Sequence, residues 1–133
     1  MLNYVCGWFA TAATFLALDS LWLSQMTPRL YRPSLGPLLA EKPNLSAAAV
    51  FYVLYITGVV IIAVLPAIER GSFVRAALLG AAVGLLAYGT YDLSNQATLR
   101  EWPVRLTLVD MAWGTVLTTL AASVGYWTVK LIG

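Results

Sequence analysis

Residues 43–68 read PNLSAAAVFYVLYITGVVIIAVLPAI and contain no charged side chain. The hydrocarbon core of a bilayer is about 30 Å thick, and roughly 20 apolar residues of α-helix are needed to cross it. Backbone polar groups in lipid must bond to one another, so an apolar stretch of this length spans as a helix. The segment is therefore predicted to be a transmembrane helix that begins near Asn44 or Ser46, because both residue types cap helix N-termini.

Three further stretches, residues 1–18, 76–91 and 111–129, also lack charged side chains. The predicted helices run over about 3–25, 46–68, 72–98 and 107–131. Residues 1–133 are thus predicted to form a single all-α transmembrane domain, an integral membrane four-helix bundle with up-down-up-down topology.

The composition agrees with a membrane protein and excludes several classes of function. The 133 residues are 60% apolar and 11% charged, against about 45–50% and about 25% in soluble domains. There is no histidine and only one cysteine, Cys6, so imidazole-dependent catalysis, CxxC metal sites and internal disulfides are excluded. A net charge of +2 is too small to indicate a nucleic-acid partner. We expect no cofactor and no metal site.

The connections between the predicted helices contain prolines. Residues 26–45 include Pro28, Pro33, Pro37 and Pro43, so this segment cannot be a regular helix. It is too apolar for a freely solvated loop, and we interpret it as a re-entrant segment or an interfacial lid.

Two shorter signals concern the ends of helices 2 and 4. Pro66 is expected to kink or end helix 2. Trp102-Pro103 separates helices 3 and 4, and Thr107 is the expected N-cap of helix 4.

Orientation follows from the distribution of basic residues. Arg29, Arg32, Lys42, Arg100 and Arg105 lie on one side, against Arg70, Arg75, Lys130 and the terminal amine on the other. The positive-inside rule then places loops 26–45 and 99–106 in the cytoplasm.

Small residues recur at every fourth position in two of the helices. They are Ala76, Gly80 and Gly84 in helix 3, and Gly114, Thr118 and Ala122 in helix 4. Such stripes let membrane helices approach closely, and the pattern leaves open packing within the chain, a homodimer or a membrane partner.

Three acidic side chains, Asp19, Asp92 and Asp110, fall inside the predicted helices or at their edges. A charge in a span costs roughly 2.5–3.5 kcal/mol on insertion scales, so it marks a candidate functional position. In this topology the end of helix 1, the end of helix 3 and the start of helix 4 meet at the same membrane face. The carboxylates are predicted to border one cavity there and are the candidate catalytic acid–base residues. Asp–Arg pairs and helix capping are the structural alternatives.

Polar and aromatic side chains lie on the same helix faces as these aspartates, at spacings of three and four. The candidate ligand-binding residues are Trp22, Tyr88, Tyr91, Asn95 and Trp113, together with Arg32 for an anionic headgroup. As alternatives, the aromatic side chains are interfacial anchors and Asn95 forms a bond between helices.

The same residues carry a resemblance to a known family. The matching blocks are Asp19-Ser20-Leu21-Trp22-Leu23, Tyr31-Arg32, Leu35-Gly36, Tyr88-Gly89-Thr90-Tyr91-Asp92-Leu93-Ser94-Asn95, Ala97-Thr98-Leu99, Trp102-Pro103 and Asp110-Met111-Ala112-Trp113-Gly114. On these blocks the chain resembles, over nearly its whole length, the small predicted bacterial membrane proteins called domain of unknown function 2177. Ser94 stands where that family's pattern has threonine. The resemblance implies a multi-pass protein of the bacterial inner (cytoplasmic) membrane and brings no assigned reaction.

Three functions remain open at the level of sequence. The first is an acidic and aromatic pocket near one membrane face that binds, and on one reading modifies, an amphiphilic or lipid-like small molecule. The second is a small proton-coupled transporter, and the third is a non-catalytic membrane subunit or scaffold. Whether the protein is an enzyme stays open.

Overall fold

The computed structural model describes all 133 residues. It contains four long helices and no strand: α1 (Leu2–Met26), α2 (Leu45–Arg70), α3 (Phe73–Thr98) and α4 (Val104–Ile132). Each of the four helices is long and apolar enough to cross a membrane. The predicted all-α bundle of four spans is therefore confirmed.

The predicted small-residue stripes of α3 and α4 pack against each other within the chain. A Cβ atom built on Gly80 would lie 2.9 Å from the Ala122 Cβ, and one built on Gly84 would lie 2.9 Å from the Thr118 Cβ. Because nothing larger than hydrogen fits at these two positions, the two backbones approach closely. Helix α1 approaches α4 in the same way, at Gly7 and Gly125.

This packing predicts unequal effects on stability for the same substitution at two glycines. Gly84→Ala is expected to lower the free energy of unfolding by about 1 to 2 kcal/mol, because the added methyl group forces α3 and α4 apart. Gly58→Ala is the matched control, since a Cβ at that mid-helix position would meet no atom within 4 Å. Equilibrium unfolding in mixed micelles measures both, and equal effects would contradict the close packing of α3 on α4.

The proline-rich segment after α1 is helical as far as Leu38, although it is not a regular helix. A π-helical turn (Thr27–Tyr31), a short α-helix (Arg32–Leu35) and a 3-10 turn (Gly36–Leu38) follow one another. The prolines at positions 28, 33 and 37 each occupy the first turn of one of these pieces, where a missing N–H costs no hydrogen bond. We call residues 27–38 the helical extension.

The helical extension turns back toward α1. The indole N–H of Trp22 donates to the hydroxyl of Tyr31 over 3.0 Å, although the two residues are nine positions apart. On a straight α-helix that spacing places side chains on opposite faces and about 14 Å apart along the axis. The wide turn at Thr27–Tyr31 therefore bends the chain and returns Tyr31 to the bundle.

Pro66 does not end α2. A π-helical turn at Val60–Val64 precedes it, closed by the N–H of Leu65 bonding to the carbonyl of Val60. The wider turn accommodates the proline, which lacks an N–H for the normal helical bond, and the helix continues to Arg70.

The helix boundaries correct one expectation and confirm another. Asn44 caps α2, with its side-chain oxygen accepting the N–H of Ala47 at 3.1 Å. Thr107 does not cap α4, because that helix already begins at Val104 behind Pro103. The Thr107 hydroxyl instead accepts the indole N–H of Trp102 at 3.0 Å.

Candidate functional site

The three aspartates of the sequence analysis lie at a common depth in the bundle. Asp19 precedes the last residue of α1 by seven positions, Asp92 precedes that of α3 by six, and Asp110 follows the first residue of α4 by six. At 1.5 Å per residue, each lies about 9 to 10 Å inside the helix end. These ends meet at one face of the bundle because neighbouring helices alternate in direction.

All three carboxylates are buried. Asp92 has 0% of its surface exposed, Asp110 has 6% and Asp19 has 8%. A buried charge needs partners, because transfer out of water is costly unless hydrogen bonds or an opposite charge replace the lost hydration. The hydrogen-bond partners of each carboxylate therefore indicate whether the three aspartates have a structural or a ligand-binding role.

Asp19 is fully supplied with donors by neighbouring helices. The Tyr52 hydroxyl on α2 donates to one carboxylate oxygen at 2.8 Å, and the indole N–H of Trp113 on α4 donates to the other at 3.2 Å. Asp19 therefore ties three helices together.

Asp110 receives its donor from the helical extension. The hydroxyl of Tyr31 donates to a carboxylate oxygen of Asp110 and accepts the indole N–H of Trp22. The Trp22 ring stacks on that of Trp113 with centroids 4.4 Å apart and planes at 4°. Because Trp113 also donates to Asp19, one network of hydrogen bonds and stacked rings joins Asp19 to Asp110.

Asp92 differs from the other two. Its carboxyl group adjoins that of Asp110, close enough for one shared proton to join the two, and neither of its oxygens has any other hydrogen-bond partner. Two ionised carboxylates have no hydrogen to share. Asp92 therefore needs a proton or a cation that the side chains around it do not supply.

A cavity of about 300 Å³ opens beside the carboxylates, between α2, α3 and α4. Phe51, Ala87, Tyr88, Tyr91 and Asp110 line it. Phe51 is 45% exposed and Tyr91 is 55% exposed, so the cavity reaches the outer, lipid-facing surface of the bundle. Its walls are mainly aromatic and its one charged group is the Asp110 carboxylate.

Four of the six predicted ligand-binding residues lie in the hydrogen-bonded network or in the cavity wall, and two do not. Trp22 and Trp113 belong to the network, and Tyr88 and Tyr91 line the cavity. Asn95 is half-buried on α3, and its side chain lies outside both the network and the cavity lining. Arg32 is exposed and does not donate to the carboxylates.

Two features of the site were not expected from the sequence. The sequence does not single out the donors Tyr31 and Tyr52, and the only signal for Tyr52 is a hydroxyl within an apolar helix. Asp–Arg pairs, the structural alternative, would require the arginines near this face to reach the carboxylates: Arg29, Arg32, Arg100 and Arg105. All four are exposed, because long arginine side chains at helix ends extend to water at little cost.

The residues around the site do not form a metal centre. No group of three or more acidic, histidine or cysteine side chains is arranged to hold a metal ion. Both oxygens of Asp19 are already occupied by Tyr52 and Trp113, which leaves Asp92 and Asp110 as the available oxygen ligands.

A second groove, about 690 Å³ in volume, lies between α1 and α2 toward the opposite end of the bundle. Trp8, Ile61 and Leu65 are among its mainly apolar lining residues, and Glu69 contributes a carboxylate at the rim. None of the three buried aspartates reaches it.

The fold and this site define a multi-pass α-helical membrane protein with a buried cluster of carboxylates and aromatic side chains near one face. The chain belongs to the family described as "Predicted membrane protein (DUF2177)", whose family model matches residues 4–127. No curated protein and no solved structure matches the chain.

Proposed function

We propose that the protein binds an amphiphilic, lipid-like small molecule, with the polar head of the ligand in the cavity beside Asp110 and its tail in the surrounding lipid. The observation that carries this proposal is the cavity itself, which combines aromatic walls, one carboxylate and a mouth on the lipid-facing surface. Its volume of about 300 Å³ is at the lower end of the range for small-molecule sites, roughly 300–1,000 Å³.

The partners of the carboxylates favour a binding site over a purely structural layer. In a scaffold we would expect arginines to neutralise the buried aspartates. Instead, the donors to Asp19 and Asp110 are tyrosine and tryptophan side chains, and Asp92 has no donor. A layer built for stability alone would not leave a buried carboxylate unsatisfied.

The depth of the site favours binding over proton-coupled transport. Transporter sites usually lie near the bilayer midplane, between discontinuous helices. Here the carboxylates lie about 9 to 10 Å inside the helix ends, and the π-helical turn of α2 at Val60–Val64 is at a different depth. This position suits a ligand whose head sits at the membrane interface.

Chemical modification of the ligand is an extension of this proposal. Adjoining carboxyl groups, one protonated and one ionised, are an arrangement that acid–base catalysis uses, and Asp92 adjoins Asp110. A change in the mass of a bound amphiphile during incubation with the protein would identify such a reaction.

We place the protein in the cytoplasmic membrane of a bacterium. Helical spans are the form that proteins of that membrane take, whereas transmembrane proteins of the bacterial outer membrane are β-barrels. The family resemblance supports the same location.

Filling the cavity is the direct test of the binding proposal. Ala87→Phe should reduce the amphiphile that copurifies with the protein by about tenfold or more, because the new ring occupies the space of the ligand's head. Organic extraction of the purified protein followed by mass spectrometry measures this amount.

Ala82→Phe is the matched control, because Ala82 is exposed on the same helix. We expect Ala82→Phe to retain the ligand, with both variants keeping the helix content of the parent. Equal amounts of bound amphiphile in Ala87→Phe and the parent protein would contradict the proposal.

A further inference from the structure

The site carries three acidic groups and no basic one. The side chains that contact the carboxylates are Tyr31, Tyr52 and Trp113, and all of them are neutral donors. The basic side chains nearest in sequence are exposed. The surrounding side chains therefore supply hydrogen bonds to the cluster but no positive charge.

The two carboxyl groups that adjoin each other are those of Asp92 and Asp110, and Asp92 is fully buried. Two carboxyl groups this close cannot both ionise without strong repulsion, which burial increases because the surroundings screen it poorly. A positive group in the cavity, next to Asp110, would offset the negative charge of the pair and supply an electrostatic partner that the protein lacks there.

The cavity walls narrow the choice of positive group. Phe51, Tyr88 and Tyr91 line the same cavity as Asp110, and the faces of aromatic rings attract ammonium groups. A divalent metal needs six or more oxygen ligands or retained waters, and the site does not offer such a set. An anionic head would be repelled by Asp110.

We propose that the ligand head bound beside Asp110 is an organic ammonium group, contacted by the Asp110 carboxylate and the aromatic walls. This inference rests on the proposed function and adds the chemical class of the ligand. Asp92 acts as a positioning residue, because its carboxyl group adjoins Asp110 and influences the charge that Asp110 presents, without itself lining the cavity. Two sources share this chemistry: an ethanolamine lipid headgroup and a free long-chain amine.

The test compares three probes with the same tail and different heads: dodecylamine, dodecanol and dodecanoate. Each is titrated into the full-length protein in dodecyl maltoside micelles, which contribute no ammonium group, and binding is followed by tryptophan fluorescence and thermal shift. We expect dodecylamine to bind about tenfold more tightly than dodecanol, and dodecanoate to bind weakest.

Substitutions test whether the preference for dodecylamine arises at the cavity beside Asp110. Asp110→Asn should remove most of the preference for dodecylamine over dodecanol. Glu69→Gln removes an exposed carboxylate at the opposite end and should leave the preference unchanged, which controls for attraction to the overall charge of the protein. Asp92→Asn should fold normally, because no surrounding side chain donates a hydrogen bond to the Asp92 carboxyl group. We expect this variant to reduce the preference for dodecylamine over dodecanol about threefold or more.

A further arm distinguishes the two sources of the ammonium group. Binding of short-chain phosphatidylethanolamine in competition with dodecylamine would indicate the lipid headgroup. Binding of dodecylamine alone would indicate the free amine.

The failures of the two proposals are distinguishable. Equal affinity of the parent protein for dodecylamine and dodecanol, with both lost in Ala87→Phe, would overturn the ammonium assignment and leave amphiphile binding intact. A preference for dodecylamine that survives in Asp110→Asn would also overturn the assignment. Absence of binding for all three probes and for extracted lipid would overturn the proposed function itself.

Discussion

Replacing Asp19 with alanine is expected to lower the free energy of unfolding by about 3 kcal/mol, since each of its two hydrogen bonds to a charged acceptor contributes about 1.5 kcal/mol or more. The substitution leaves the Tyr52 hydroxyl and the Trp113 indole N–H without the acceptor they share. Both donors lie between packed helices, where water replaces the lost partner poorly. Equilibrium unfolding in mixed micelles measures the loss.

Glu69→Ala is the control for this measurement. It removes an acidic side chain that is exposed, and we expect a change within about 0.5 kcal/mol, as for most surface substitutions. An Asp19→Ala variant as stable as Glu69→Ala would contradict the role of Asp19 as the tie between α1, α2 and α4.

Asp92→Asn is expected to have the opposite sign and to raise the free energy of unfolding by about 2 kcal/mol, because it removes a buried carboxyl group that no surrounding donor satisfies. Asparagine has nearly the shape of aspartate, so the packing of α3 is retained. Its amide can also donate to the adjoining Asp110 carboxylate, which then has two donors. The same unfolding experiment measures the gain.

Asp19→Asn is the matched control for the second prediction. It makes the same chemical change at the same depth, but at a carboxylate whose two oxygens both accept hydrogen bonds, and it is expected to destabilise the protein. Two asparagine variants that shift stability in the same direction would contradict the difference between Asp19, which has two donors, and Asp92, which has none from the surrounding side chains.

Asp92 thus connects stability to the proposed function. A buried carboxyl group that no other donor satisfies lowers the stability of the unliganded protein, and a cation bound beside Asp110 would recover part of that stability. Substitutions that stabilise a protein by repairing an unsatisfied group often reduce function. Asp92→Asn is therefore expected to be more stable than the parent protein and weaker in binding an ammonium probe.

The four spans were predictable because they depend on local composition. The charge-free stretch at residues 43–68 is long enough to cross a bilayer by itself, and the other three are apolar stretches close to that length. The segment after α1 was harder, because prolines exclude a regular helix but fit the first turn of successive short helical pieces. The predicted start of α4 at residue 107 was wrong, because Thr107 was interpreted as the N-cap. The helix begins at Val104, and the Thr107 hydroxyl accepts a hydrogen bond from Trp102 instead.

The sequence predicts which acidic residues meet in the candidate site, but it does not predict which side chains donate hydrogen bonds to them. Helix direction alone brings Asp19, Asp92 and Asp110 to one end of the bundle. Which donors reach them depends on the rotation of each helix and on side-chain rotamers. Tyr52 meets Asp19 only because α2 turns that face inward, and Tyr31 meets Asp110 only because the helical extension bends back. Neither feature has a signature in the sequence.

Photo-crosslinking tests most directly the central claim that the cavity beside Asp110 is a ligand-binding site. A dodecylamine that carries a diazirine near its head would be activated with the protein in dodecyl maltoside, and the modified residues would be mapped by mass spectrometry. We predict labels on Phe51, Ala87 and Tyr91, and loss of those labels with excess dodecylamine or in Asp110→Asn. Labels spread over lipid-facing residues such as Leu54, Leu86 and Leu120, undiminished by competitor, would contradict the claim.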